Sequence, residues 1–136
     1  MYITKLLVMY DWCDLLNYSK LPSDQRQPLN RKPEIQESYD RFRQEYDPVR
    51  YITEKYFSGT NSGRQYVLVE NSYPYDIVPW LSHYILWFNP AYPDIDYKYW
   101  VDVIVKDLSA IAWINPPNNQ SVPGVVHYHI IYKIFD

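Results

Sequence analysis

The turn cluster Ser58-Gly59-Thr60-Asn61-Ser62-Gly63 divides this chain into two unlike halves. Small polar residues and glycines at that density break any regular element. Before the cluster, apolar residues follow a helical rhythm. Ile35, Tyr39, Phe42 and Tyr46 recur at spacings of four, three and four, which lays one stripe along a helix over 34–46. Asp47-Pro48 ends that helix and starts another, because Asp caps free amides and Pro needs none in the first turn. Val49, Ile52 and Tyr56 give the second stripe. A shorter helix is predicted over 11–17, with Trp12, Leu15 and Leu16 on one side, and residues 18–33, broken by three prolines, form a connection.

After the cluster the pattern changes. Residues 65–70 and 83–88 read as strands, with the turn Asn71-Ser72-Tyr73-Pro74-Tyr75-Asp76 between them. Residues 96–108 fit a helix, although Val101, Val103, Ile104 and Val105 are β-branched and favour strand. Residues 110–115 and 125–135 read as two final strands. The expected fold is therefore α+β: a small antiparallel sheet in the order strand-strand-helix-strand-strand, preceded by a helical segment packed on it. Residues 1–136 form one domain, with the helical segment over 1–63 and the sheet-bearing core over 64–136.

The length allows a core without disulfides or metal. Sixteen tyrosines and five tryptophans stand against three glycines, so aromatic rings must supply much of the packing. Trp80, Trp87 and Trp113 are expected in the core, and Asp76, Asp94 and Asp96 in turns. The single cysteine, Cys13, cannot close an internal disulfide, which points to a reducing, cytoplasmic setting. No apolar run is long enough to span a membrane. Residues 65–136 hold three Lys/Arg against seven Asp/Glu, too few cations to neutralise a duplex, so no duplex nucleic acid is expected as a partner.

Chemistry concentrates near the C-terminus. A polar, proline-rich loop from Asn115 through Gln120 and Ser121 to Gly124 feeds a strand carrying His127 and His129. Residues two apart on a strand share a face, so the two imidazoles stand side by side, about 6.5–7 Å apart at Cα. His83, the third histidine of the chain, opens another apolar run. Three uses fit such a group. Imidazole can attack or protonate a phosphoryl group while loop amides, Asn115, Gln120 and Ser121 hold its oxygens. Three histidines can make an open zinc-like site. The cluster can also be a satisfied polar core that fixes the loop. Tyr73, Tyr75 and Trp80 could stack on a ring-bearing ligand, and Arg31, Arg41 and Arg43 are the cations that could reach the acidic half.

Four segments carry a family resemblance: Arg31-Lys32-Pro33-Glu34, Glu70-Asn71-Ser72-Tyr73-Pro74-Tyr75-Asp76, His83-Tyr84-Ile85-Leu86-Trp87, and Asn115-Pro116-Pro117 through Ser121-Val122-Pro123-Gly124-Val125-Val126-His127-Tyr128-His129. In this order they resemble the fungal N-acetylglucosamine-induced protein 1 family, a domain of unknown function (DUF3605). The chain departs from that pattern at Ser82, where the family has Glu, and at Gln120, where it has Arg. The arrangement is more distantly similar to the histidine-triad (HIT-like) superfamily. That likeness implies a nucleotide- or sugar-phosphate-binding domain, with His129 as nucleophile, His127 as its partner, and His83, Asn115, Gln120 and Ser121 as ligand contacts. It implies no cofactor. Ile131 occupies the third triad position, and in the alternative register His127 is the nucleophile. A non-catalytic ligand- or protein-binding module is the competing expectation.

Overall fold

Four strands pair antiparallel in the order β1-β2-β4-β3, where β1 is Tyr66–Glu70, β2 Leu81–Phe88, β3 Ile111–Trp113 and β4 His127–Lys133. The computed structural model describes residues 9–117, 120 and 122–134. Helices α1 (Trp12–Lys20), α2 (Pro33–Glu45) and α3 (Pro48–Tyr56) precede the sheet, and α4 (Tyr97–Leu108) crosses from β2 to β3. The protein has the expected α+β fold. Among the described residues no helix is long and apolar enough to cross a membrane.

Local chemistry explains the helix starts. Asp11 and Asp14 form a reciprocal capping box at α1, with bonds of 2.8 and 3.0 Å. Asp47 accepts from the amides of Val49 and Arg50 at 3.1 and 3.4 Å, and Pro48 fills the first position of α3. Asp96 accepts from Tyr99 N at 3.1 Å and opens α4. The β-branched residues of α4 do not prevent the helix, because Val101 and Ile104 bury against Leu86, Phe88 and Ile130 on one face of the sheet. Tertiary packing outweighs the few tenths of a kcal/mol per residue that propensity costs.

Register fixes the other face. Ile85 stands opposite His129, Trp87 opposite His127, and His83 opposite Ile131. Trp113 flanks His129 from β3. This inner face carries two apolar clusters. Leu15 of α1 packs with Tyr75, Leu81, Ile111, Trp113 and Ile131, while Ile52 of α3 packs with Phe57, Ile85, Trp87, Val122 and Val125. Together the register and the clusters put the histidines between the two apolar patches.

Several boundaries differ from the sequence expectation. Helix α1 continues to Lys20, three residues beyond its expected end, with Ser19 Oγ bonded back to Leu16 O at 2.7 Å. Strand β4 starts at His127 rather than at residue 125, because Val125 N turns back to Val122 O at 3.3 Å. Both valines then bury under α3. Gly124 permits that turn to lie close to the helix, since a Cβ there would stand 2.9 Å from Val49 Cγ2. Trp80 is 51% exposed and not a core residue; its carbonyl accepts from Ile134 N at 2.9 Å. The first half is also not purely helical. Tyr10 pairs with Ile77 in an isolated parallel bridge and so ties the N-terminal segment to the turn that carries Tyr75.

Asp47→Ala should lower stability by about 1 kcal/mol through loss of the α3 cap. Asp47→Asn should keep most of it. Urea denaturation followed by circular dichroism measures both; equal loss in the two variants would contradict the capping role.

Candidate functional site

The site is a cavity of about 280 Å³ between the inner face of the sheet and α2 and α3. Its floor is His127, His129 and Trp87, and Asn115 and Tyr75 stand beside them. Its walls are aromatic: Tyr39, Phe42, Tyr51, Tyr56 and Tyr73 all line it. Three cations, Arg31, Arg43 and Lys55, line it against one carboxylate, Glu70.

Helical spacing builds the walls. Tyr39 and Phe42 lie one turn apart on α2, and Tyr51 and Lys55 one turn apart on α3. Phe42 meets Tyr51 edge-on with centroids 4.8 Å apart, which locks the two helices together above the sheet. Arg31 lies between two rings, 4.5 Å from the Tyr39 centroid and 4.9 Å from that of Tyr75. Its Nε donates to Tyr73 O at 2.7 Å. Among the described residues the ion pairs are Arg50–Glu54 and Lys98–Asp102, both exposed, so none of the three cavity cations is neutralised by a carboxylate.

The histidines are buried and bonded to one another. His83 Nε2 and His129 Nδ1 are 2.8 Å apart. His83 Nδ1 accepts from Tyr75 N at 3.2 Å, and Asn71 Nδ2 adds a donor against the same ring at 3.3 Å. His129 Nε2 lies 3.1 Å from Asn115 Nδ2 and 3.5 Å from the Tyr75 hydroxyl. Tyr75, Trp113 and His129 stack, with centroid separations of 5.3 and 5.5 Å to the imidazole. His127 is held differently. Its Nδ1 donates to Val125 O at 2.8 Å and its ring leans on Trp87 at 4.6 Å. Among the described residues no protein group bonds its Nε2.

Burial holds all three imidazoles neutral. It lowers His83 to about 3, assisted by the nearby Arg31. It lowers His129 well below the usual value, with His83, His127 and Arg31 acting in the same direction. His127 is lowered by burial and partly restored by its carbonyl bond. Burial also raises the Tyr75 hydroxyl, so it remains a phenol.

Several expected residues thus meet. His127, His129 and Asn115 line the cavity, and His83 stands behind His129. Gln120 spends its amide on Asn115 O at 2.7 Å, bracing the loop. Ser121 lies outside the described residues. Arg31 and Arg43 do reach over from the helical half, while Arg41 bonds Ser38 on an exposed face. Tyr39, Phe42, Tyr51 and Lys55 were not singled out by sequence as site residues. Tyr39 and Phe42 belong to the apolar stripe of the first helix, which reads as core, and Tyr51 and Lys55 lie off the stripe of the second. The three-histidine metal arrangement is not formed. Among the described residues no three such side chains are placed to hold an ion, because His83 and His129 turn their nitrogens toward each other.

No family model matches the chain, and no curated protein does. Among solved structures it is similar to the crystal structure of HTC1, with a TM-score of 0.69 over 93% of this chain and 86% of that one. The two sequences are 16% identical, so the likeness shows the shared fold alone.

Neutral buried histidines make stability depend on pH. With the folded value lowered to about 3, the unfolded chain binds more protons between about pH 3 and 6.5. Stability is therefore full above pH 6.5 and falls as pH drops through that window, by up to about 1.4 kcal/mol per unit for His83, with His127 and His129 acting in the same direction. His83→Gln should show a shallower acid slope than the wild type in urea melts at pH 4 to 7. Parallel slopes would contradict a neutral His83.

Proposed function

We propose that this protein binds a phosphorylated small molecule, a nucleotide or sugar phosphate, in the cavity over His127 and His129, as a HIT-like domain related to the DUF3605 family. The observation that carries this reading is the set of three cations, none with a carboxylate partner among the described residues, around an aromatic cavity in an otherwise acidic protein. Uncompensated guanidinium and ammonium groups in a partly desolvated site favour an anion, and phosphate is the anion that Arg and Lys together suit. The stacked tyrosines offer faces for a planar or sugar ring. A volume of about 280 Å³ is near the lower limit for small-molecule sites, which favours one ring and one phosphate over a dinucleotide. The order strand-strand-helix-strand-strand, with a histidine pair on the last strand, supports the HIT-like placement.

One observation also favours chemistry at the bound phosphate, and it shifts the reacting residue from His129 to His127. The Val125 carbonyl takes the Nδ1 hydrogen of His127 and leaves the Nε2 lone pair unbonded by any of the described residues. That is the state a neutral imidazole needs to attack phosphorus, a P–N bond forming as the P–O bond to the ring-bearing group breaks and the departing oxygen takes a proton from water. His129 has neighbours at both ring nitrogens and is less available.

Isothermal calorimetry against a panel of nucleoside monophosphates and sugar monophosphates tests the binding. At least one member should bind, and Arg31→Gln should weaken it about tenfold or more, the scale of one charged hydrogen bond. A panel without binders, or an Arg31→Gln variant with unchanged affinity, would overturn the reading. Transfer chemistry is tested separately by acid-labile phosphate on the protein after mixing with the tightest binder, which His127→Ala should abolish and His129→Gln should reduce only in part.

A further inference from the structure

The hydrogens of the buried pair can be placed by elimination. The backbone N–H of Tyr75 is always a donor, so His83 Nδ1, 3.2 Å away, accepts. Asn71 Nδ2 lies 3.3 and 3.5 Å from the two His83 nitrogens, too evenly placed to sit on either lone pair, so it does not set the tautomer. The neutral His83 ring then carries its hydrogen on Nε2 and donates to His129 Nδ1 at 2.8 Å. His129 in turn carries its hydrogen on Nε2, facing Asn115 Nδ2 at 3.1 Å. From the other end, the Trp113 indole N–H is also a fixed donor, to Asn115 Oδ1 at 3.2 Å, and this turns the Asn115 Nδ2 toward His129. Two donors meet.

No rearrangement removes the conflict. Turning over the Asn115 amide moves it to the indole. Exchanging both histidine tautomers moves it to the Tyr75 backbone. If the Tyr75 hydroxyl accepts from either group, its own hydrogen becomes the extra one. Among the described residues, a relay with a fixed donor at each end holds one hydrogen too many, and a buried donor without an acceptor costs roughly 1–3 kcal/mol.

We propose that this surplus is the seat for an anionic oxygen of the ligand, received by Asn115 Nδ2, His129 Nε2 and the Tyr75 hydroxyl together. All three residues line the cavity, so an acceptor can reach them. Arg31, 4.9 Å over the Tyr75 ring, adds positive potential on the same side. His83 becomes a positioning residue that sets the His129 tautomer without touching the ligand. The inference rests on the phosphorylated-ligand reading and gives it an orientation, with the phosphate at the Asn115 end.

Long-range ¹H–¹⁵N spectra of the whole protein report histidine tautomers directly. His129 should be in the Nε2–H form, and inorganic phosphate should shift that nitrogen saturably. Acetate, the planar alternative, should do so more weakly. Asn115→Asp, which supplies an internal acceptor, should lose phosphate affinity about tenfold or more. If that variant does not fold, the wild-type spectra alone decide. An Nδ1–H tautomer on His129 would overturn the donor assignment. An Nε2–H tautomer indifferent to phosphate, in a protein that still binds a panel ligand, would overturn the seat and leave the binding reading intact. Absence of any panel binder would remove both.

Discussion

The hydrogen bond between His83 and His129, 2.8 Å long in the middle of the sheet, is the contact on which the rest of this structure depends. Two imidazoles have been taken out of water, and each costs free energy unless its nitrogens are matched. Their matching reaches outward in both directions. The Tyr75 amide answers one end, the Asn115 amide group faces the cavity end, and Asn71, Trp113 and the Tyr75 hydroxyl surround them. The turn before β2 and the loop before β4 are thereby pinned to the sheet they flank.

Those two loops shape the cavity. The β2 turn brings Tyr73 and Tyr75, and Arg31 is clamped over Tyr75 by its bond to the Tyr73 carbonyl. The β4 loop brings Val122 and Val125 beneath α3 and holds that helix high enough to leave space over His127. Helices α2 and α3 close the top with an edge-on ring contact. An acidic protein thus builds a small electropositive hollow, lined by rings and floored by neutral bases. The reversal of charge is local and comes from only three side chains, which makes it a feature of the site and not of the whole surface.

Much of this was legible in the sequence. Asp47 announced its helix, because a cap is a local interaction between near neighbours, whereas Asp96, expected in a turn, proves to cap α4. The change of periodicity at residues 58–63 marked where helices give way to strands. The pair His127 and His129 was legible because strand geometry alone puts them on one face. What could not be read depends on distance. Tyr39, Phe42 and Lys55 look like parts of ordinary amphipathic helices until α2 and α3 are docked. Trp80 looks like core by hydrophobicity, yet its place at the turn before β2 leaves it half in water. Strand β4 was started two residues too early, because apolar valines suit a buried turn as well as a strand. The bond between His83 and His129 spans 46 residues, and nothing local foretells it.

The central claim is that the hollow over the histidines is an anion-binding site for a ring-bearing phosphate. The most direct measurement is chemical-shift mapping of the ¹⁵N-labelled protein during titration with a sugar monophosphate such as ribose 5-phosphate. The account requires saturable shifts gathered at Arg31, Lys55, Asn115, His127 and His129, with the α4 face of the sheet unmoved. Shifts scattered over the α4 face, or none at millimolar ligand while the protein remains folded, would contradict it.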